Sequence, residues 1–460
     1  MKSTQSLSSR EKVFLVGVSL KRGAGVRGGA ATASARESLA ELETLAESAG
    51  AVVTGSMLQV RGTLDPATLM GRGKLEEVKV EAEIRDAQLI IVDRNLTPAQ
   101  LRNMEDATDC RVIDRTQLIL DIFARRARTR EGHLQVELAQ LNYLLPRLSG
   151  RGVELSRLGG GIGTRGPGEQ KLETDRRRIR DRVGKLREAI DTVRRQRTTR
   201  RQARQAVPIG TVALVGYTNA GKSTLFNALT HSDVLVSAKM FATLDPTLRA
   251  VTLPSRRKVL LSDTVGFLRD LPLGLIAAFR ATLEEVQESM LLLLVTDASH
   301  PQHAEQDAEV RKILEELDVA DRPCIHVLNK ADHLSAADQE IIRATSIAKH
   351  GSIQLGGAQP EFPNKETIRH SVLISAKTGE GLPELLAMID KEVPMDRMVR
   401  AQVRVPIMDS RRLAMVHAAG KVFTSEIVDE YFVIDAEMPE SLALRLSETS
   451  IKNPKDPSLD

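Results

Sequence analysis

The chain has 460 residues, 42% of them hydrophobic and 3% aromatic, with 65 basic against 61 acidic side chains and a formal net charge of +4. That length accommodates about three domains, the composition is that of folded protein, and the longest apolar run, residues 290–295, is far too short to span a bilayer. The opening stretch MKSTQSLSSREKVFLVGV lacks a signal-peptide core and cleavage site, and Cys110 and Cys324 sit in apolar, strand-like stretches, where buried free thiols of a reducing, cytoplasmic compartment are expected rather than a disulfide or a metal site.

The first third alternates short apolar runs with helical spacings. Residues 12–18 read as a strand, 36–48 as a helix and 51–60 as a second strand region. Residues 87–93 (AQLIIVD) form the continuous apolar run of a strand buried on both faces. Residues 97–105 read as a helix, 111–114 as a strand and 117–123 as the opening of another helix. This alternation predicts a small parallel α/β domain over residues 1–130. Within it, Gly71-Arg72-Gly73-Lys74 looks like a fragment of a phosphate loop. The rest of that motif and a strand directly before it are missing. The segment therefore reads as a basic turn, with a second nucleotide site as the lesser reading.

Residues 131–205 predict an antiparallel helical hairpin. Leu172, Ile179, Val183, Leu186, Ile190 and Val193 recur at spacings of seven, four, three, four and three, a coiled-coil-like seam. Leu134, Leu138, Leu141 and Leu145 carry the same periodicity and are expected to pair with it. The intervening residues 146–170 include LGGGIGTRGPGEQ, too rich in glycine for a helix or a core. Charge is concentrated here: residues 171–204 hold fourteen Lys/Arg against five Asp/Glu, a local balance of +9. A basic arm with a glycine-rich tip suits phosphate backbones. With no Trp and three Tyr in the chain, base stacking is a poor candidate for the main mode. Structured RNA read by shape and charge fits better; the plain alternative is a solvated helix face.

The middle of the chain, residues 206–396, carries a spaced set of signatures. GYTNAGKS starts at Gly216, DTVGF at Asp263, NKAD at Asn329 and SAK at Ser375, each behind an apolar strand-like run. Residues 211–215 read as a buried strand and 224–229 as the opening of a helix. The loop between them is Gly216, Tyr217, Thr218, Asn219, Ala220, Gly221, Lys222, Ser223 and Thr224. Strand, glycine-rich loop and helix together let backbone N–H groups wrap phosphates at a helix N-terminus. Lys222 is expected to reach the β- and γ-phosphates, and the Ser223 hydroxyl to ligate Mg²⁺. At Asn329-Lys330-Ala331-Asp332 the Asp332 carboxylate is matched to the N1–H and amino donors of guanine. Adenine lacks that pair, so an adenine nucleotide would leave a buried carboxylate unpaired. Asn329 is expected to support the purine edge and the Lys330 stem to pack on the ring face. Ser375-Ala376-Lys377, behind residues 372–374, would close over the base. GTP and GDP are the expected ligands, with hydrolysis of GTP the expected chemistry.

The switch elements lie between these motifs. Residues 258–262 read as a strand delivering Asp263, which would hold Mg²⁺ through water. In Asp263-Thr264-Val265-Gly266, the Gly266 N–H is expected to meet the γ-phosphate, and loss of that phosphate to release the segment. Upstream lies Phe241-Ala242-Thr243-Leu244-Asp245-Pro246-Thr247. Thr243 is the choice for the second hydroxyl on Mg²⁺ and Thr247 the runner-up, since spacing alone does not separate them. Phe267 stands where many GTPases carry a glutamine that orients the attacking water. A phenyl ring cannot do that, so hydrolysis by the chain alone is expected to be slow and helped by a partner or an ion. Asn219 resembles the loop asparagine of potassium-activated GTPases, where K⁺ bridges the phosphates; the alternative is an asparagine that only supports the loop.

Residues 350–364 (HGSIQLGGAQPEFPN) read as an exposed insertion. In residues 397–460, 403–407, 422–423 and 431–434 look like short strands and 411–417 and 440–446 like helices, a small α+β appendage. Residues 450–460 are expected to be disordered.

Over nearly its whole length the chain resembles the HflX-type GTPases, a branch of the Obg–HflX group of P-loop proteins. The segments that carry the resemblance are GRGKLEEV (71–78), LGGGIGTRGPGEQKLETDRR (158–177), GYTNAGKSTLFN (216–227), FATLDPT (241–247) and DTVGF (263–267). It implies an N-terminal α/β domain, a helical hairpin and a Ras-like GTPase domain. It also implies binding to the large ribosomal subunit, its RNA and proteins, with splitting or rescue of stalled ribosomes under stress. The tip near residues 159–168 would then approach ribosomal RNA. Some family members also hydrolyse ATP, for which Gly73 and Lys74 are the positions to inspect. The C-terminal appendage has no strong motif behind the match. The free chain is expected to be a monomer. The competing class is a GTP-dependent switch that recruits a protein partner, with the arm acting only as a docking helix.

Overall fold

The computed structural model describes residues 11–20, 28–148, 167–205, 210–231, 240–241, 247–269, 285–348, 368–393 and 398–448. Ala242, Thr243, Leu244 and Asp245, most of the glycine-rich tip (149–166), the insertion at 350–364 and the tail at 450–460 lie outside the described residues.

The first sheet is built from β1 (Lys12–Leu20), β2 (Val52–Arg61), β3 (Leu89–Val92) and β4 (Arg111–Asp114), in the order β2-β1-β3-β4. Every pair is parallel, as the alternation of elements predicts. Successive residues of β1 point to opposite faces, and both faces are covered. Val13 and Leu15 join Leu42 and Leu45 of α1 (Gly28–Ser48) and Leu118, Ile119 and Phe123 of α4 (Arg115–Arg126). Phe14, Val16 and Val18 join Leu75, Val78 and Ala82 of α2 (Arg72–Ile84) and Leu101 and Met104 of α3 (Pro98–Thr108). Double coverage is why LIIV of β3 is apolar throughout and wholly buried. Helix starts are chemically marked. Thr97 and Gln100 form a reciprocal capping box with Pro98 behind Thr97, and the Asp114 carboxylate accepts from Gln117 N–H to cap α4.

Gly71-Arg72-Gly73-Lys74 is not a turn but the start of α2, with Gly71 as N-cap and Lys74 paired to Glu77 at 2.5 Å. The spacing of Leu75, Val78 and Ala82, all buried, outweighs the local glycines.

The hairpin is formed by α5 (Arg130–Leu144) and α6 (Pro167–Gln205). The Arg182 guanidinium grips the Glu137 carboxylate through two hydrogen bonds of 2.7 and 2.8 Å. Val183, Leu186 and Ile190 of the predicted seam are buried. The partner stripe differs from expectation: Leu134, Leu138, Leu141 and Leu145 are only half-buried, while Val136 and Ala139 are buried. The reason is that α5 has two neighbours, α4 as well as α6, and its most buried face joins the core under the first sheet. The base of the hairpin is also pinned to that sheet. Tyr143 Oη donates to Asp114 at 2.8 Å, and Arg147 donates to Asp114 at 3.1 Å and to the Leu96 carbonyl at 2.8 Å while stacking on the Tyr143 ring.

The second sheet contains β5 (Thr211–Gly216), β6 (Thr247–Thr252), β7 (Lys258–Asp263), β8 (Leu291–Asp297), β9 (Cys324–Asn329) and β10 (Ile368–Leu373), in the order β10-β9-β8-β5-β7-β6. Only β6 runs antiparallel among these pairings. One face packs on α7 (Lys222–Thr230) and α10 (Leu382–Glu392), through Phe226 and Leu385 among others. The other packs on α8 (His303–Glu316) and continues into the first sheet's core as one apolar cluster, while α9 (Ala336–Ala348) lies against β10, with Ile342 beside Leu373. Burial pushes the Cys324 thiol up to about 11 and also raises Cys110; both are free thiols. A third, antiparallel sheet, β11 (Met398–Pro406), β13 (Tyr431–Pro439) and β12 (Lys421–Val428), packs against α11 (Ser410–Ala419) and α12 (Glu440–Glu448), the expected α+β appendage.

Candidate guanine-nucleotide site

The parallel strands β5, β7, β8 and β9 all end at one edge of the second sheet, at Gly216, Asp263, Asp297 and Asn329. Ligands of open α/β sheets bind outside such carboxyl ends. The loop after β5 runs directly into α7. Its turn requires glycine at 221: φ is +94°, and a Cβ there would stand 2.2 Å from Asn329 Nδ2. Asn219 is exposed and also left-handed, at φ 62°.

Lys222 is buried, and its ammonium donates to the carbonyls of Gly216 at 3.0 Å and Tyr217 at 2.7 Å. Burial pulls its pKa down to about 8 against a smaller opposing pull from Asp263. Ser223 Oγ donates to the buried Asp263 carboxylate at 2.8 Å. A hydroxyl beside a carboxylate is a hard-oxygen pair suited to Mg²⁺, so the residues present fit that ion. Thr247, the alternative to Thr243, is the first residue of β6 and lies across from Asp263 in the ladder. Thr264 turns its hydroxyl to the Leu214 carbonyl, away from the loop.

The segment after β7 is zipped to the phosphate loop. Thr218 N–H donates to the Phe267 carbonyl at 2.8 Å, and Phe267 N–H to the Gly216 carbonyl at 3.1 Å. Gly266 presses on Thr218 so closely that a Cβ would lie 2.8 Å from its Cα and 3.0 Å from Lys222 Nζ. Phe267 is buried in the continuous apolar cluster with Tyr217, Phe241 and Leu268. The Phe241 ring meets Phe123 of α4 edge-on at 4.5 Å.

A polar network that the motifs do not announce joins this loop to the first sheet. Tyr217 Oη donates to Glu41 of α1 at 2.7 Å and accepts from Arg269 N–H at 2.9 Å. Glu41 is also held by Arg115 at 2.7 Å, which holds Asp93 at 2.7 Å. Burial, then the Glu41 charge, raises the Tyr217 phenol far above its usual range, so it stays a donor. In sequence Glu41 is one acid among many on an amphipathic helix; only the fold brings it to residue 217.

At the base end, Asn329 acts as a strap. Its Nδ2 donates to the Ala220 carbonyl at 2.8 Å, and its Oδ1 accepts from Ala376 N–H at 3.0 Å. Ala331 N–H donates to the Ile374 carbonyl at 3.0 Å. Ser375 Oγ donates to Asp332 at 2.7 Å, and that hydrogen bond holds the carboxyl below its usual range. Lys330 sits at φ 66° with Nζ 2.6 Å from Asp297. Lys377 is exposed. The four motifs thus converge at one sheet edge.

Residues 36–124 match the family described as GTP-binding GTPase N-terminal, 126–204 the GTP-binding GTPase Middle Region, and 211–330 the 50S ribosome-binding GTPase. The GTPase HflX of Caldanaerobacter subterraneus is 45% identical over 410 residues, 89% of each chain. The chain belongs to the HflX family of GTPases. The HflX of Escherichia coli is 43% identical over 394 residues, covering 82% of this chain and 92% of its own. That of Alkalihalophilus pseudofirmus is 52% identical over 296 residues, 64% and 70% of the two chains. As an HflX-family member the chain binds and hydrolyses GTP. No helix among the described residues is long and apolar enough to cross a membrane.

Proposed function

We propose that this GTPase works on the large ribosomal subunit, splitting or rescuing stalled ribosomes under stress, with hydrolysis that is slow alone and stimulated by the subunit. The single observation that carries the reading is the match of residues 211–330 to the 50S ribosome-binding GTPase family. The exposed Arg177 and Arg178 on the strongly basic α6 support it as an RNA-facing arm.

The site residues take the following roles in this reading. Backbone N–H groups of the 216–224 loop cradle the phosphates at the start of α7. Lys222, pre-seated on two carbonyls of the loop, turns its ammonium to the β- and γ-oxygens. Ser223 and Thr243 through their hydroxyls, and Asp263 through water, would hold Mg²⁺. When bound, that ion neutralises charge on the phosphate oxygens. Gly266 leaves its packing on Thr218 to present its N–H to the γ-phosphate. Asp332, kept ionised by Ser375, accepts from guanine N1–H and the amino group. Asn329 keeps the phosphate and base loops at a fixed separation, and Ser375-Ala376-Lys377 closes over the ring.

Phe267 cannot replace the missing glutamine, because its ring is committed to the apolar cluster. Stimulation therefore comes from groups other than residue 267: from the ribosome, and from K⁺, which would sit beside Asn219. Turnover that is equal in sodium and potassium would remove the ion from this scheme. The arm is tested by neutralising Arg176, Arg177 and Arg178 and measuring co-sedimentation with large subunits across a salt series. The expected result is weaker binding and a salt slope reduced by about one for each phosphate no longer neutralised. Unchanged affinity and slope would leave the arm without an RNA role.

A further inference from the structure

Asp297 has no part in the roles above. It ends β8 directly opposite Asn329 in the parallel ladder, and its side chain is 14% exposed. Both carboxylate oxygens are committed. Oδ1 accepts from Ser299 N–H at 3.1 Å and from Ser299 Oγ at 2.6 Å. Oδ2 takes the Lys330 ammonium at 2.6 Å. One oxygen is therefore tied to the turn after its own strand, and the other is aimed across to the next strand's loop. Burial works against the charge, but the hydrogen bonds from Lys330 and Ser299 outweigh it and keep the group ionised.

Lys330 needs such a partner. It follows the strap residue Asn329 in a left-handed backbone conformation, and its side chain is 24% exposed. A free lysine stem samples many rotamers, and a base that stacks on it must first immobilise it. Anchoring the ammonium at its far end removes most of that freedom before any nucleotide arrives.

We propose that Asp297 is a positioning residue for guanine recognition: by holding the Lys330 ammonium, it presents the lysine stem as a preformed shelf for the purine ring without touching the nucleotide. This rests on the reading of Lys330 as the residue that packs on the base. Preorganisation of this kind acts on affinity and residence time, not on the chemical step.

The test uses the intact chain and displacement of a fluorescent GDP analogue, with GDP and inorganic tripolyphosphate as competitors. Asp297→Asn keeps the shape and removes the charge. It is expected to weaken GDP about tenfold, the scale of one lost charge-assisted hydrogen bond, chiefly through faster release. Tripolyphosphate has no base, and its binding is expected to be unchanged. KM for GTP rises by the same factor while kcat stays constant. In a Lys330→Ala background, Asp297→Asn adds less than about twofold, because the two residues act as one unit. If Lys330→Ala leaves GDP affinity intact, the base reading itself fails. If Lys330→Ala weakens GDP and Asp297→Asn does not, the positioning role fails alone. Equal weakening of tripolyphosphate and GDP would make Asp297 a residue of the fold and overturn the proposal.

Discussion

Raising the pH from 7 to 9 titrates Lys222 in the free protein, where burial has brought its pKa to about 8. In the complex the phosphates surround the ammonium with negative charge and hold the proton well above that value. The bound state therefore carries more protons than the free state over this window, and affinity falls as pH rises through about 8. Below about 8 both states are protonated and affinity is flat. Taking one site with free pKa about 8, the loss between pH 7 and 9 is about tenfold in Kd, or roughly 1.4 kcal/mol. Calorimetry of GDP binding at pH 8 in buffers of different ionisation enthalpy should show uptake of about half a proton. An affinity that stays constant between pH 7 and 9, with no proton uptake, would refute this reading of the buried lysine. The same shift has a consequence for the free fold. The unfolded lysine, near 10.5, binds its proton more readily than the folded one. This group's contribution therefore makes stability rise with pH from about 8 to 10.5.

Two further substitutions probe the site's surroundings. Phe267→Gln will not restore fast turnover, because position 267 faces the apolar cluster; instead it buries an amide and loses ring packing, at about 3 kcal/mol of stability, seen as a lower thermal midpoint with unstimulated GTP turnover no higher than the parent's. Tyr217→Phe deletes the hydroxyl shared by Glu41 and Arg269; a cost of about 2 kcal/mol and faster amide exchange in α1 are expected, and an unchanged melt with unchanged exchange would show that the link between the phosphate loop and the first sheet carries no energy.

The phosphate and base loops were legible because their chemistry is contiguous. Gly216 to Ser223 is one strand end, one turn and one helix start, and Asn329 to Asp332 is one strand end and one turn. The parallel alternation of the first domain was legible for a similar reason, since LIIV at 89–92 and the helical spacings around it are local patterns. What stayed hidden depends on distant segments meeting. Glu41 reaches Tyr217 across 176 positions of sequence. Asp297 reaches Lys330 only because β8 and β9 are neighbours in register. Phe267 could be read as a missing glutamine but not as a core residue, because its pocket is assembled from two sheets. The leucine stripe of α5 showed a helix correctly and its face incorrectly, because periodicity does not say how many partners a helix has. Gly71 to Lys74 misled in the other direction: glycine density suggested a turn where Leu75, Val78 and Ala82 were already at helical spacing.

The most direct test of a ribosome-stimulated GTPase is steady-state GTP turnover by the intact chain at physiological potassium, alone and with purified large ribosomal subunits. The expected result is slow turnover alone and a large rise with subunits, accompanied by co-sedimentation that depends on the bound nucleotide. Turnover unchanged by subunits, with no nucleotide-dependent co-sedimentation, would contradict the ribosomal role and leave a GTPase that acts through another partner.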